Sequence, residues 1–253
     1  MPRFRLVFIA FVSVILFGLG LVGCTNTEGT VANPQLEEQV LQIIRENPQA
    51  IVESVQAYQQ QRQEEMAQAQ QNFLTQMVEN PSTAIGDSPT KGAADKQIVL
   101  LEFSDFQCPF CARAHDTVKQ FMQKHQDEVT LAYKHLPLTQ IHPEALPAAK
   151  AAWAAQQQGQ FWDYYDALFQ QQDKLGEALY LAIAEDLNLD LEQFNRDRTS
   201  PAAETAIQED LELARRLGIS GTPFFIMNGQ VFSGAVDLSQ MERVLSEVKR
   251  PAS

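Results

Sequence analysis

The residues of this chain best suited to chemistry are Cys108 and Cys111, which are separated by Pro109 and Phe110. A thiolate is the nucleophile in thiol–disulfide exchange, so a reactive cysteine needs a stabilised negative charge and an accessible sulfur. A helix that begins at Pro109 would supply both, because its free N–H groups and the positive end of its dipole would face Cys108. Cys111 would then lie one turn inside the helix. The spacing predicts that Cys108 exchanges with a substrate and that Cys111 resolves the mixed disulfide.

Two other uses of this cysteine pair can be weighed from the sequence. A disulfide between residues so close together closes too short a loop to stabilise a fold much, which favours a reactive role. The pair could also be half of a zinc site with His115 as a third ligand, but a fourth ligand is not evident. There is no second CxxC motif, and His135 and His142 lie in different sequence surroundings. We therefore predict no metal site, a surface position for His115, and no cofactor beyond the redox-active disulfide itself.

The first residues of the chain are typical of a targeting segment. Arg3 and Arg5 precede an uncharged run over residues 6–22, and Gly23 precedes Cys24. Residues 21–24 resemble the lipobox of bacterial lipoproteins, which implies cleavage of a 1–23 signal peptide and attachment of lipid to the Cys24 sulfur. The alternative is an uncleaved membrane anchor, since the run is near the lower limit for a spanning helix. Both interpretations predict export and membrane attachment, with residues 24–33 as a tether.

Composition limits the other functions of the chain. Its 253 residues, 45% hydrophobic and 20% charged, suit one folded catalytic domain with an appendage. The formal net charge of −13 argues against nucleic acid as a partner, because a phosphate backbone attracts basic surfaces.

An N-terminal helical arm is predicted over residues 34–80. Asparagine precedes both Pro34 and Pro48, which marks two helix starts, and the second helix is predicted to end near Glu79. The middle, residues 56–71, is rich in glutamine and too polar for an ordinary core helix. We interpret the arm as a stalk or self-association segment; the alternative is a helix that lies on the catalytic domain.

The rest of the chain predicts an α/β domain over residues 98–253, entered through a linker at residues 81–97. Continuous apolar runs predict buried strands, and Asn228-Gly229 predicts a hairpin turn. The predicted elements are a strand at 98–103, a helix at 109–125, a strand at 129–135, a helical insertion at about 142–217, a hairpin at 224–233 and a helix from 238.

Residues 98–250 resemble the DsbA-like branch of the thioredoxin superfamily, especially members with an N-terminal helical extension. The matching features are the strand leading into CPFC, the helical insertion, and the sequence GTPF at residues 221–224. The resemblance implies a thioredoxin fold with an inserted helical subdomain and thiol–disulfide oxidoreductase activity. It also implies a cis peptide bond before Pro223, close to the cysteine pair, and pairing of the Thr222 backbone with a substrate strand.

The resemblance assigns a further role to Glu102, which matches the acidic residue beneath the active site in this family. Burial would raise the pKa of the Glu102 carboxyl, so that it could carry a proton to or from Cys111. The alternatives are that Glu102 is exposed at the strand end, or that Asp105 has this role. We expect Asp105 to face solvent.

The expected function is that of a disulfide-forming oxidase for exported proteins, recharged by a membrane redox partner and facing the periplasm or the cell exterior. Phe110 replaces the histidine found in strong oxidants of the family, so the Cys108 thiolate should be less stabilised and the pair less oxidising. An isomerase or reductase that forms a homo-oligomer through residues 34–80 is the alternative. A non-enzymatic lipoprotein that binds metal through the thiols is a further alternative.

Overall fold

The computed structural model of this protein describes residues 33–250. The helices are α1 (Pro34–Glu46), α2 (Pro48–Glu79), α3 (Pro109–His125), α4 (Ala145–Gln157), α5 (Phe161–Gln170), α6 (Glu177–Asp186), α7 (Leu191–Arg198), α8 (Pro201–Arg216) and α9 (Leu238–Val248). The strands are β1 (Thr90–Gly92), β2 (Ile98–Ser104), β3 (Val129–His135), β4 (Phe224–Met227) and β5 (Gln230–Ser233). Short 3₁₀ helices lie at Pro81–Ala84 and Gln172–Lys174.

The predictions of a signal peptide, of lipid on Cys24 and of a tether concern residues that lie almost wholly outside the described range. Among residues 33–250, no helix combines the length and the apolar character needed to cross a membrane.

The chain divides into two compact units, with the boundary between Tyr58 and Gln59. The first unit contains α1 and the beginning of α2, and the two helix starts lie where the sequence predicted them. The side chain of Asn33 caps α1 by accepting from the Gln35 N–H at 3.1 Å. Every described residue of this unit is exposed, including a set of apolar side chains: Leu36, Val40, Leu41, Ile43, Ile44, Ile51, Val52, Val55 and Tyr58.

The second unit is built on a five-stranded sheet in the order β1-β3-β2-β4-β5. The central strand β2 pairs parallel with β3, whereas β4 pairs antiparallel with β2 and β1 antiparallel with β3. In β2, every residue after Ile98 is buried, as expected for a central strand covered on both faces. The predicted α/β fold with a helical insertion is confirmed.

Helices cover both faces of this sheet. Helices α3 and α9 pack on the face that carries Leu100, whereas α8 and the end of α2 pack on the face that carries Leu101. The inserted helices α4–α7 form a third apolar cluster, which also contains both cysteines of the CPFC motif. The insertion therefore contributes directly to the environment of the cysteines.

The prediction of a linker over residues 81–97 was wrong. This segment contains a 3₁₀ helix and the edge strand β1, which pairs with β3 from Thr90↔Ala132 to Gly92↔Thr130. The strand is only three residues long and has polar and glycine residues, so it carries no hydrophobic pattern that sequence reasoning could detect. Its place in the sheet comes from pairing with β3.

Candidate active site

The CPFC motif lies where β2 ends and α3 begins. Cys108 is the N-cap residue of α3, and Pro109 occupies the first helical turn. Because β4 is antiparallel to β2, its first residue pairs with Phe103 near the end of β2. This register brings Thr222 beside Cys108, whose Sγ lies 3.5 Å from the Thr222 carbonyl oxygen. The Thr222–Pro223 peptide bond is cis, as the family resemblance implied.

Cys108 and Cys111 are both free thiols, and their pKa values are shifted in opposite directions. A hydrogen bond from the Cys111 thiol is the main reason why the pKa of Cys108 falls to about 5. Burial raises the pKa of Cys108 in part. The Thr222 side chain and the backbone N–H groups of Cys111 and Phe110 lower it further. Burial raises the pKa of Cys111 well above that of a free thiol. At neutral pH this geometry gives an ionised Cys108 and a protonated Cys111.

Asp105 fixes the loop that leads into the motif. Its carboxylate accepts from the Gln107 N–H at 2.8 Å and the Leu138 N–H at 3.0 Å, and His142 Nδ1 lies 2.7 Å from it. Asp105 is 1% exposed, so the expectation that it faces solvent was wrong. The residues that bury it follow β3, more than 30 positions later in the chain, where sequence reasoning had no signal to find them.

Gln172 holds the same loop from the inserted helices. Its Nε2 donates to the carbonyl oxygens of Phe106, at 2.7 Å, and Cys108, at 3.0 Å. A second contact is made by Gln107, whose Oε1 accepts from the Glu144 N–H at 2.7 Å. The sequence analysis did not identify Gln172, because a lone glutamine 64 residues after Cys108 carries no recognisable pattern. The inserted region thus positions the backbone of Cys108.

Glu102 is fully buried beneath the motif, on the face of β2 that α3 covers. The Tyr165 hydroxyl donates to its two carboxylate oxygens, at 3.1 and 3.3 Å. Burial raises the pKa of Glu102 to about 7, although Tyr165, His115 and other neighbours lower it in part. The alternative of an exposed carboxylate was therefore wrong. A carboxyl with this pKa can hold or release a proton at neutral pH.

Ser104 lies two residues after Glu102 on the same face of β2, and the sequence analysis did not single it out. Its side chain is 1% exposed, and its Oγ has no hydrogen-bond partner of normal geometry among the described residues. The hydroxyl is nevertheless close enough to Glu102, Cys111 and Tyr133 to lower the pKa of each.

His115 is buried, so the prediction of a surface position was wrong. Its Nε2 lies 2.7 Å from Asp166, whose other carboxylate oxygen accepts from Lys119 at 2.8 Å. Its ring packs against Tyr165 and Phe169, which the insertion supplies. Across residues 33–250, no group of three or more histidine, cysteine or acidic side chains is arranged to hold a metal ion.

A cleft of about 890 Å³ lies elsewhere in this unit, between α8 and residues 83–89. At one side, Lys134 Nζ lies 3.2 Å from Asp210 and donates to the Ile85 carbonyl oxygen at 3.0 Å. Neither cysteine lines this cleft. The cleft is therefore separate from the cysteine pair, in which Cys108 is 4% exposed and Cys111 is fully buried.

Comparison with solved structures identifies relatives of this fold. A thioredoxin-like oxidoreductase from Silicibacter pomeroyi DSS-3 is 29% identical, with a TM-score of 0.62 over 70% of this chain and 98% of that one. The thiol-disulfide exchange protein α-DsbA2 from Wolbachia pipientis is 23% identical, with a TM-score of 0.61 over 70% and 97% of the two chains. At that identity the second likeness shows the fold alone.

Curated relatives match over a shorter share of their length. The Na(+)/H(+) antiporter NhaA 3 of Salinispora tropica is 35% identical over 151 residues, which are 60% of this chain but only 23% of that protein. This chain thus spans less than a quarter of the curated relative. The family model described as thioredoxin matches residues 81–247, which include the cysteine pair, Glu102 and Pro223. The chain therefore belongs to the thioredoxin family and has the fold of its DsbA-like thiol–disulfide oxidoreductases.

Proposed function

We propose that this protein forms disulfide bonds in exported proteins by exchange at Cys108 and Cys111. The observation that carries the proposal is the asymmetry of the pair: Cys108 has a pKa of about 5 at the start of α3, whereas burial keeps Cys111 protonated. A thiol of low pKa is a good leaving group, which favours transfer of the disulfide to a substrate.

The reaction begins with the oxidised pair and a reduced substrate. A substrate thiolate attacks Cys108 Sγ, the bond between Cys108 and Cys111 breaks, and Cys111 leaves as a thiolate that takes up a proton. A second substrate thiolate then attacks the substrate sulfur of the mixed disulfide, and Cys108 leaves as a stable thiolate. The substrate loses two electrons and the cysteine pair gains them. A membrane redox partner that accepts two electrons would restore the disulfide.

The substrate would bind along Thr222 and Pro223. The Thr222 carbonyl oxygen lies 3.5 Å from Cys108 Sγ, so a chain that delivers a sulfur to Cys108 must pass beside the backbone of residue 222. An extended substrate segment could hydrogen-bond there as an added strand. Lipid on Cys24 would keep the enzyme at the membrane, near its redox partner.

Phe110 affects the reduction potential that we expect for the cysteine pair. Its side chain is 52% exposed and lies beneath the guanidinium of Arg113, 4.4 Å from the ring centroid. It therefore offers Cys108 only its backbone N–H, and no side-chain hydrogen bond. We expect a reduction potential between about −270 mV, as in thioredoxin, and about −120 mV, as in DsbA.

The test is the redox equilibrium of the pair in glutathione buffers, measured by thiol trapping, together with refolding of a reduced substrate protein. An oxidising potential with rapid substrate oxidation would support the proposal. Cys108→Ser should abolish exchange, whereas Cys111→Ser should retain the attacking sulfur and accumulate a mixed disulfide. A strongly reducing potential without oxidase activity would refute the oxidase assignment.

An isomerase is a second candidate, favoured by the exposed apolar side chains of α1. Such a surface is typical of association with another chain, and several active sites in one oligomer would favour disulfide shuffling over simple oxidation. Light scattering of the intact protein and of a Val40→Glu/Ile44→Glu variant tests this, with Gln42→Glu as the matched control. A monomer in all three proteins would remove the basis for an oligomeric isomerase.

A further inference from the structure

The buried hydroxyl of Ser104 lacks an evident structural role. Buried hydroxyl groups in folded proteins almost always have a hydrogen-bond partner, and each exception calls for an explanation. Among residues 33–250, Ser104 Oγ has no partner of normal geometry, although the side chain is 1% exposed. A buried hydroxyl without a partner is a candidate for a functional role.

The position of Ser104 suggests that role. Glu102 and Ser104 occupy the same face of β2, and α3 covers this face with Cys111 on its first turn. The Ser104 hydroxyl therefore lies between β2 and the first turn of α3, and it lowers the pKa of both the Cys111 thiol and the Glu102 carboxyl. We propose that the Ser104 hydroxyl relays a proton between the Cys111 sulfur and the Glu102 carboxyl during disulfide exchange.

A hydroxyl suits this task because it can donate one hydrogen bond and accept others at the same time. When Cys111 leaves as a thiolate, it takes the proton of Ser104, and Ser104 takes the proton of Glu102. Glu102 ends ionised, Cys111 ends neutral, and Ser104 is unchanged. The reverse transfer would generate the Cys111 thiolate that attacks a mixed disulfide at Cys108. The inference rests on the proposed exchange at Cys108 and adds a catalytic residue to it.

The charged and titratable groups around Glu102 influence its pKa, and therefore the pH dependence of the exchange rate. Tyr165 from α5 donates to the carboxylate, and Tyr133 faces it from β3. His115 from α3 and Lys91 from β1 lie close enough to lower the pKa of Glu102 through their charge. Within this set, Ser104 is the hydroxyl that also lowers the pKa of the Cys111 thiol.

The experiment measures the rate at which a small dithiol reduces the oxidised, full-length protein between pH 5 and pH 9. Ser104→Ala should slow this reaction roughly 10- to 100-fold and remove an inflection near pH 7 that the wild type shows. Glu102→Gln should have the same effect, and the double variant should be no slower than the slower single variant. Ser104→Ala should fold, because it removes a hydroxyl that has no partner. Thr130→Val, which removes a different buried hydroxyl of the sheet, should leave the pH profile unchanged.

The possible failures can be told apart. A wild-type rate and profile for Ser104→Ala, whether or not Glu102→Gln changes them, would overturn the relay and leave exchange at Cys108 intact. Exchange that persists in Cys108→Ser would instead overturn the proposed function, and the relay with it.

Discussion

Replacing Glu102 by glutamine should make the stability of this protein less sensitive to pH. The carboxyl has a pKa of about 7 in the folded protein, compared with 4.5 when it is solvated, and burial is the main cause. Between these two values the unfolded chain has lost the proton while the folded protein keeps it, so stability falls as pH rises. The gap of about 2.5 pH units corresponds to about 3 kcal/mol at 1.36 kcal/mol per unit.

The assay is urea denaturation of the reduced proteins at pH 4.5, 6 and 8. Glu102→Gln should lie within about 0.5 kcal/mol of the wild type at pH 4.5, because the carboxyl is then neutral in the folded protein and still half protonated in the unfolded chain. It should exceed the wild type by about 3 kcal/mol at pH 8, where the wild type holds a buried charge. Glu185→Gln, at an exposed position of α6, is the matched control and should retain the pH dependence of the wild type. A gap between Glu102→Gln and the wild type that does not change with pH would refute the reasoning.

Three further outcomes are expected. Cys111→Ala should raise the pKa of Cys108 about 1–2 units above its value in Cys111→Ser, because serine keeps a hydrogen-bond donor for the thiolate and alanine does not. The pKa is measured by the absorbance of the thiolate as pH is varied. Equal pKa values in the two variants would contradict this. Gln172→Ala should lower the unfolding free energy by about 1–3 kcal/mol, because the buried Phe106 carbonyl oxygen loses its side-chain donor and the Cys108 carbonyl oxygen loses one of its donors. An unchanged urea midpoint would argue against this. Gly92→Ala should cost roughly 2–4 kcal/mol, since φ is +100° and a Cβ would meet the Val129 carbonyl oxygen at 2.2 Å. Gly159→Ala, with φ of +74° and open space, should cost about 1 kcal/mol, and equal losses at the two sites would exclude the clash.

The sequence predicted the elements that have a strong local signal. Pro34, Pro48 and Pro109 mark helix starts where the structure has them, and the continuous apolar run of β2 marks a buried strand. These signals are local, because a proline in a first turn or an apolar run depends little on the rest of the fold. The strand β1 is the counterexample, since pairing with β3 defines it.

The positions of the two cysteines in the candidate site were predictable from the sequence, whereas the residues that support them were not. The spacing of Cys108 and Cys111 predicted that one cysteine would precede the helix and the other would lie in its first turn, and the structure has them there. The burial of Asp105 and His115 depends on partners from distant parts of the chain, so sequence position alone gave the wrong environment for both. Gln172 contributes two hydrogen bonds through a residue type that occurs throughout the chain.

The contact between Cys108 and Thr222 has a consequence for the order in which the protein is made. The two residues are 114 positions apart, and Thr222 precedes a strand that lies between β2 and β5 in the sheet. A chain synthesised from its N-terminus presents Cys108 long before Thr222 and β4 exist, and contacts of such large sequence separation form late in folding. The nascent cysteine therefore lacks part of the environment that makes it acidic. The environment of Cys108 is complete only once Thr222 and β4 have been made, so we expect the Cys108 thiol to be less acidic in an unfinished protein than in a finished one.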